Sequence, residues 1–236
     1  MGSGRWDSAA YVTAKTERLV SGRVDFEYSK TTMEQPVDQW KVHPLLDPSG
    51  VAVRESRDSA EHPESLAVAV FFDVTGSMRS VTPVLQRKLE KLMTMLVDKA
   101  GIAHPQVLVG AVGDETCDRV PFQFGQFESD NRVDEQLRNV FLEGGGGAGI
   151  RESYLLALYA AAYKTAADCF EKRGKKGYLF LIGDELFYDR LSRREIQKVF
   201  GTQAPQDYSA SELVAAALER YEVFFIVPAG AAHGQE

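Results

Sequence analysis

Residues 66–77, LAVAVFFDVTGS, constrain the fold more than any other stretch of the chain. A continuous apolar run ends at Asp73 and is followed by hydroxyls at Thr75 and Ser77. A short run that is apolar at every position and bounded by a turn reads as a strand buried on both faces of a parallel sheet. Such a strand delivers Asp73 at its carboxyl end. One carboxylate and two hydroxyls, spaced by two residues, then share one small loop. An oxygen-only set with no Cys or His beside it suits a hard divalent cation, Mg²⁺, Mn²⁺ or Ca²⁺, because softer ions recruit sulfur or imidazole.

From residue 65 onward apolar runs alternate with helical patterns, the signature of an α/β fold with a mainly parallel sheet. The strand candidates are Leu66 to Phe72, Val107 to Val112, Tyr178 to Ile182 and Val223 to Val227. A weaker alternating run, Val120, Phe122, Phe124 and Phe127, reads as an antiparallel edge. Leu85, Leu89, Leu92, Met93 and Leu96 recur at the helical period, with Pro83 in the first turn and Gly101 just past the end. A short helix is expected over about 133–141. A longer one, apolar around most of its girth, is expected from Arg151 to Lys172 and closed by Gly174. Residues 192–199 and 210–220 read as amphipathic helices.

Three of the four parallel-strand candidates end in acids: Asp73, then Asp114 in the Gly-Asp-Glu after the second strand, then Asp184 in the Gly-Asp-Glu after the central one. In open parallel sheets that edge carries the ligand site. Carboxylates brought together there raise one another's pKa unless a cation neutralises them. Asp114 and Asp184 also suit the plainer role of capping the loops that follow strands.

The segment Glu143 to Ser153, EGGGGAGIRES, precedes the long helix. Glycines leave its backbone free to approach a neighbouring loop or ligand. A phosphate cradle is disfavoured, because no Lys-Ser/Thr pair follows and the run comes after a helix where a dinucleotide fingerprint needs a strand. Gly145, Gly146 and Gly147 read instead as a lip over the acids. Glu152 falls in the expected first turn of the helix, where the macrodipole favours it; a metal contact is the other reading.

Residues 1–64 read as an N-terminal arm or extension and residues 65–236 as the main domain. The arm starts with a short helix from Asp7 to about Val20, carries both tryptophans (Trp6 and Trp40), and ends in a polar segment, 54–65, that reads as a linker. A net charge of −7 argues against nucleic-acid binding and against an anionic membrane surface. Arg193, Arg194 and Lys198, and the basic run Lys172 to Lys176, read as solvated helix ends. No apolar run reaches the length of about 20 residues that a membrane span needs, and MGSGRWDSAAYV lacks a signal peptide's apolar core, so the expected location is the cytoplasm. Cys117 and Cys169 have no paired spacing and read as reduced thiols.

Asp73-Val-Thr75-Gly-Ser77-Met resembles the metal-ion-dependent adhesion site of von Willebrand factor type A domains, and Asp184 matches that family's later aspartate. The resemblance covers residues 65–228 and is nearest to the bacterial intracellular members, with their glycine loop followed by Glu-Ser and their Gly-Asp-Glu strand end. It implies a Rossmann-like three-layer sandwich with a mainly parallel central sheet flanked by helices. It also implies Mg²⁺ (or Mn²⁺ or Ca²⁺) held by Asp73, Thr75, Ser77 and Asp184, with Asp114 and Glu152 as outer-shell or additional contacts. One coordination position would go to water or to an acidic residue of a protein partner, and several such family members act beside AAA+ ATPases. The family's glycine-loop threonine has no counterpart in 143–151, so coordination leans on water, Glu152 or Asp114. The family's closing helix is expected to be short or missing, with the arm over the face it leaves.

The function implied is non-catalytic, metal-dependent protein binding, with Gly145, Gly146, Gly147, Phe187 and Tyr188 as the rim. The alternative is a metal-dependent phosphatase or hydrolase with Asp73 as nucleophile, as in HAD-type phosphatases. Those enzymes carry a second Asp where this chain has Thr75, and no His or Lys is placed beside the acids, which argues against catalysis. His104 precedes its strand and is expected at the opposite edge.

Overall fold

A computed structural model of the 236-residue chain describes residues 4–23, 25–78, 84, 88, 91–96, 101–145 and 151–229. Its centre is a five-stranded sheet in the order Tyr221–Ile226, Gly177–Ile182, Leu66–Asp73, Pro105–Val112, Phe122–Phe124. The first four strands pair in parallel and the last is an antiparallel edge. Each expected strand is present, and the alternating phenylalanine run forms the edge.

The middle strand is buried at every position, as a strand covered on both sides must be. Its pleat splits the core in two. Ala67, Ala69 and Phe71 pack on one face with Leu155, Ile196, Phe200 and Leu213. Val68, Val70 and Phe72 pack on the other with Met93, Leu96, Val133 and Leu137. Helices therefore cover the sheet on both sides.

The helix expected over 85–96 is seen only in part. Pro83, Leu85 and Leu89 lie outside the described residues, while 91–94 are helical and 95–96 continue as a π turn. Met93 and Leu96 enter the core, but Leu92, placed on the same stripe by the sequence, is 37% exposed. Gly101 adopts the positive φ expected beyond the end. The 133–141 pattern forms a helix over Arg132–Arg138. The last two helices, Arg193–Phe200 and Ala210–Arg220, each open with a Ser/Glu capping box. Two of the basic residues on the first of them are paired with acids: Lys198 with Glu115 at 2.7 Å and Arg193 with Asp207 at 3.3 Å.

Two expectations are corrected. The long helix from Arg151 to Lys172 is broken into a helix over Tyr154–Tyr163, a strand over Thr165–Ala167 and a turn of helix over Asp168–Glu171. The Thr165 hydroxyl bonds back to the Ala161 carbonyl at 2.6 Å, and Thr165–Ala167 pairs in parallel with Arg54–Ser56. The polar segment read as a linker is thus partly a strand, and just beyond it Arg57 pairs with Asp168 at 2.9 Å.

Other described residues before Arg54 anchor on the sheet's helical layer and its neighbours. Asp7 caps the Ser8–Val20 helix through the Ala10 N–H. Tyr11, Phe26 and Leu46 are buried in the same cluster as Val68, Val70 and Phe72, and Trp40 stands edge-on to Phe141 with ring centroids 5.4 Å apart. A helix over Glu27–Met33 had no legible periodicity. Among the described residues no helix is long and apolar enough to cross a membrane.

Candidate metal centre

The sheet register decides which acids meet. Phe72 is paired with Ile182 and Asp73 with Val112, so Asp73, Asp184 and Asp114 all emerge at the carboxyl edge of adjacent strands. The chain moves from the Leu66–Asp73 strand to one side and later returns to the other, which makes this edge a topological switch point.

Asp73, Thr75, Ser77 and Asp184 form one continuous chain of oxygens. The Thr75 N–H and hydroxyl donate to Asp73 Oδ1 at 2.7 and 2.5 Å. The Thr75 and Ser77 hydroxyl oxygens stand 3.5 Å apart, and Ser77 Oγ donates to Asp184 Oδ1 at 2.7 Å. Asp73 and Thr75 are buried, while Ser77 and Asp184 are half-buried, so the chain runs from the interior to an open mouth. All four residues named from the sequence are brought together.

Tyr154 was not foreseen. Its hydroxyl donates to Asp73 Oδ2 at 2.7 Å and stands 3.4 Å from the Glu185 N–H. The approach depends on Gly183, where a Cβ would meet the Tyr154 hydroxyl oxygen at 2.0 Å. A tyrosine at the start of an apolar helix, together with a glycine just before the strand-end acid, was the available signal.

Asp114 is close by but turned to its own loop. It accepts from the Thr116 N–H and hydroxyl at 2.9 and 2.7 Å, and from the Tyr188 hydroxyl at 3.0 and 3.2 Å. This is the loop-capping geometry expected of an acid after a strand. Glu152 is not in the first turn of the helix. Arg151 and Glu152 instead pair in parallel with Leu186 and Phe187, and Ser153 is the N-cap of the helix that starts at Tyr154. Glu152 is 5% exposed, and its Oε2 has no hydrogen-bond partner.

Gly144 and Gly145 lie against the loop that carries Thr75 and Ser77. The Gly76 N–H donates to the Gly145 carbonyl at 2.7 Å, and the Gly144 N–H donates to the Val74 carbonyl at 3.3 Å. A Cβ on Gly145 would meet Asp118 Oδ1 at 2.2 Å, so a side chain there would have to displace the Asp118 carboxylate. Gly146 and Gly147 lie outside the described residues. Phe187, expected on the rim, is turned inward: its ring packs on Tyr154 and Phe225 with centroids 5.0 and 5.1 Å apart. Leu186 is the exposed residue of that segment, at 55%.

The electrostatics are those of crowded, buried carboxyls. Burial pushes the Asp73 pKa up to about 6, with the Thr75 and Tyr154 hydrogen bonds acting in the opposite direction and Asp184 adding to the rise. Burial, and then Asp73, Asp114, Asp118 and Glu185, push Glu152 up to about 9. Burial is also the largest cause of the raised Tyr154 hydroxyl, followed by Asp73.

Among the described residues no group of three or more His, Cys, Asp or Glu side chains is disposed to hold a metal ion. The grouping that exists is two carboxylates with two hydroxyls, plus an orphaned carboxylate oxygen nearby. This donor set fits a hard divalent cation, for which hydroxyl and water oxygens complete what carboxylates begin.

No protein-family model and no curated protein matches the chain. Two crystal structures of the pilus adhesin SpaC from Lactobacillus rhamnosus GG, one in an open conformation, align with 56% of the chain at 10% identity and a TM-score of 0.38. The alignment covers 16% of the adhesin chain.

Proposed function

We propose that this protein is a non-catalytic, divalent-metal-dependent protein-binding module of the von Willebrand factor type A kind. The observation that carries the reading is the unbroken oxygen chain from Asp73 through Thr75 and Ser77 to Asp184 at the switch point of the sheet. Asp73, Thr75, Ser77 and Asp184 would hold Mg²⁺, with Mn²⁺ and Ca²⁺ as the other hard candidates. When bound, the ion supplies a positive charge that relieves the crowding of the acids and an open coordination position for an incoming oxygen.

This chain's own residues do the rest. Tyr154 holds Asp73 Oδ2 and so orients the carboxylate. Ser77 fixes Asp184. Gly144 and Gly145 close one side of the mouth and Tyr188 stands beyond Asp114. The partner chemistry that suits such a site is an acidic side chain on another protein, and the resemblance in the motif adds an AAA+ ATPase, in a bacterial intracellular complex, as the first class to test.

The test is retention of a partner by immobilised wild-type and Asp73→Ala chains, each in Mg²⁺ and in EDTA. Retention only by wild type in Mg²⁺ is the expected result. Capture indifferent to both the substitution and the chelator would overturn the proposal.

A further inference from the structure

The opposite edge of the sheet holds a second chemical grouping, made of His62 and His104. His104 directly precedes Pro105, and His62 lies four residues before Leu66. Leu66 and Pro105 are register partners on adjacent parallel strands, and the Leu66 N–H donates to the His104 carbonyl at 2.9 Å. The sheet itself therefore brings the two imidazoles together, with their Nδ1 atoms 3.3 Å apart.

His62 is held on every side. Its backbone exchanges hydrogen bonds with Ser59 at 3.0 and 3.2 Å, the residue is 3% exposed, and its Nε2 stands 2.7 Å from the Gly4 carbonyl. A carbonyl oxygen only accepts, so Nε2 carries the hydrogen, and with the ring proton placed there the lone pair of Nδ1 is the one offered to His104. Burial, followed by His62 and Arg5, pushes the His104 pKa down, with Glu64 acting in the opposite direction.

Two imidazole nitrogens on a tetrahedral ion, each about 2.0–2.1 Å from it, stand about 3.4 Å apart. The observed separation is 3.3 Å. A ring whose second nitrogen donates to a backbone carbonyl is also how metal-bound histidines are oriented. A cavity of about 300 Å³, lined by His62, Arg5, Trp6, Pro105 and Ser129, opens on the His62 side of the pair.

We propose that His62 and His104 form an open two-histidine site for a borderline divalent transition ion, with Zn²⁺ as its reference, bound through both Nδ1 atoms. Imidazole selects Zn²⁺, Cu²⁺ and Ni²⁺ over the hard ions that suit the acids at the other edge. Gly4 gives the site a consequence. Its carbonyl is held by His62 and by the Ser129 hydroxyl, the latter at 2.5 Å, so an ion on His62 also pins the start of the N-terminal arm to the sheet.

The experiment is calorimetric titration of the untagged full chain with Zn²⁺ in the presence of excess Mg²⁺, which occupies the acidic edge. One Zn²⁺ per chain is expected, with affinity lowered about tenfold or more in His104→Ala and unchanged in His43→Ala. Nitrogen-15 spectra of the histidine rings give an independent readout: both Nδ1 resonances should move on Zn²⁺ addition while the Nε2 resonances remain protonated. Absence of uptake at millimolar Zn²⁺, or uptake unaltered in His104→Ala, would overturn the site and leave the pair as a shared-proton hydrogen bond.

Discussion

Replacing Asp73 by Asn should stabilise the metal-free protein while removing its response to metal. Asp73 is buried and its carboxyl is raised from 3.8 in the open chain to about 6 in the fold, chiefly by burial. That difference corresponds to about 3 kcal/mol of folding free energy that is absent once the group ionises in the fold. For a raised carboxyl the folded state keeps its proton longer than the unfolded chain. Stability from this group is therefore fully present below about pH 4 and is lost as the pH climbs to about 6. An Asn carries no charge and keeps an oxygen for the Thr75 N–H and hydroxyl. Its amide nitrogen would face Tyr154, whose hydroxyl can turn to accept. Allowing about 1 kcal/mol for the weaker neutral hydrogen bonds, the variant should gain about 2 kcal/mol near pH 7.5, or about 4–8 °C in Tm for a chain of this size. Urea unfolding in EDTA, run at about pH 7.5 and about pH 4, measures this directly. The gain should vanish at the acidic pH, where the wild-type carboxyl is already protonated. A variant destabilised at neutral pH, or one with the same gain at both pH values, would refute the reasoning.

Other perturbations reach the same site from different sides. Gly183→Ala places a Cβ 2.0 Å from the Tyr154 hydroxyl, so it should cost about 1–3 kcal/mol in urea unfolding and move Tyr154 off Asp73. Ser77→Ala removes the bond to Asp184 at a half-buried position; stability should change by less than about 1 kcal/mol, while Mg²⁺-induced stabilisation in thermal unfolding should fall sharply. Glu152 is raised to about 9, so metal-free stability should keep falling from about pH 4.5 towards about pH 9, and Glu152→Gln should flatten that fall in a pH series of urea midpoints. Mg²⁺ at about 100 times its dissociation constant should add about 2.7 kcal/mol to wild type in the same assay, and nothing to Asp73→Asn.

Much of this was legible because strand burial leaves an unambiguous trace. A parallel strand covered on both faces must be apolar throughout, so Leu66–Asp73 and Pro105–Val112 announce themselves, and the acids that end them mark one edge of the sheet. Asp73, Asp114 and Asp184 could be brought to one edge from that, Thr75 and Ser77 joined Asp73 by their spacing in one loop, and the resemblance of the motif singled out Asp184. What was lost depended on contacts distant in sequence. The break at Thr165–Ala167 interrupts an apolar stretch that reads as continuous helix, because those residues pair with Arg54–Ser56 and the Thr165 hydroxyl bonds back to Ala161. Glu152 left the helix for the same kind of reason, a strand pairing with Leu186 and Phe187. Tyr154 reaches Asp73 only because Gly183 has no side chain, and the inward turn of Phe187 follows from the aromatic contacts offered by Tyr154 and Phe225. Local periodicity carries none of these.

The most direct measurement is calorimetric titration of the wild-type chain and Asp73→Asn with Mn²⁺ and Mg²⁺. Saturable uptake of one hard ion per chain by wild type, absent in Asp73→Asn and weakened in Ser77→Ala, is the result expected of an ion held between Asp73 and Asp184. No heat at millimolar metal, or equal uptake by wild type and Asp73→Asn, would contradict it.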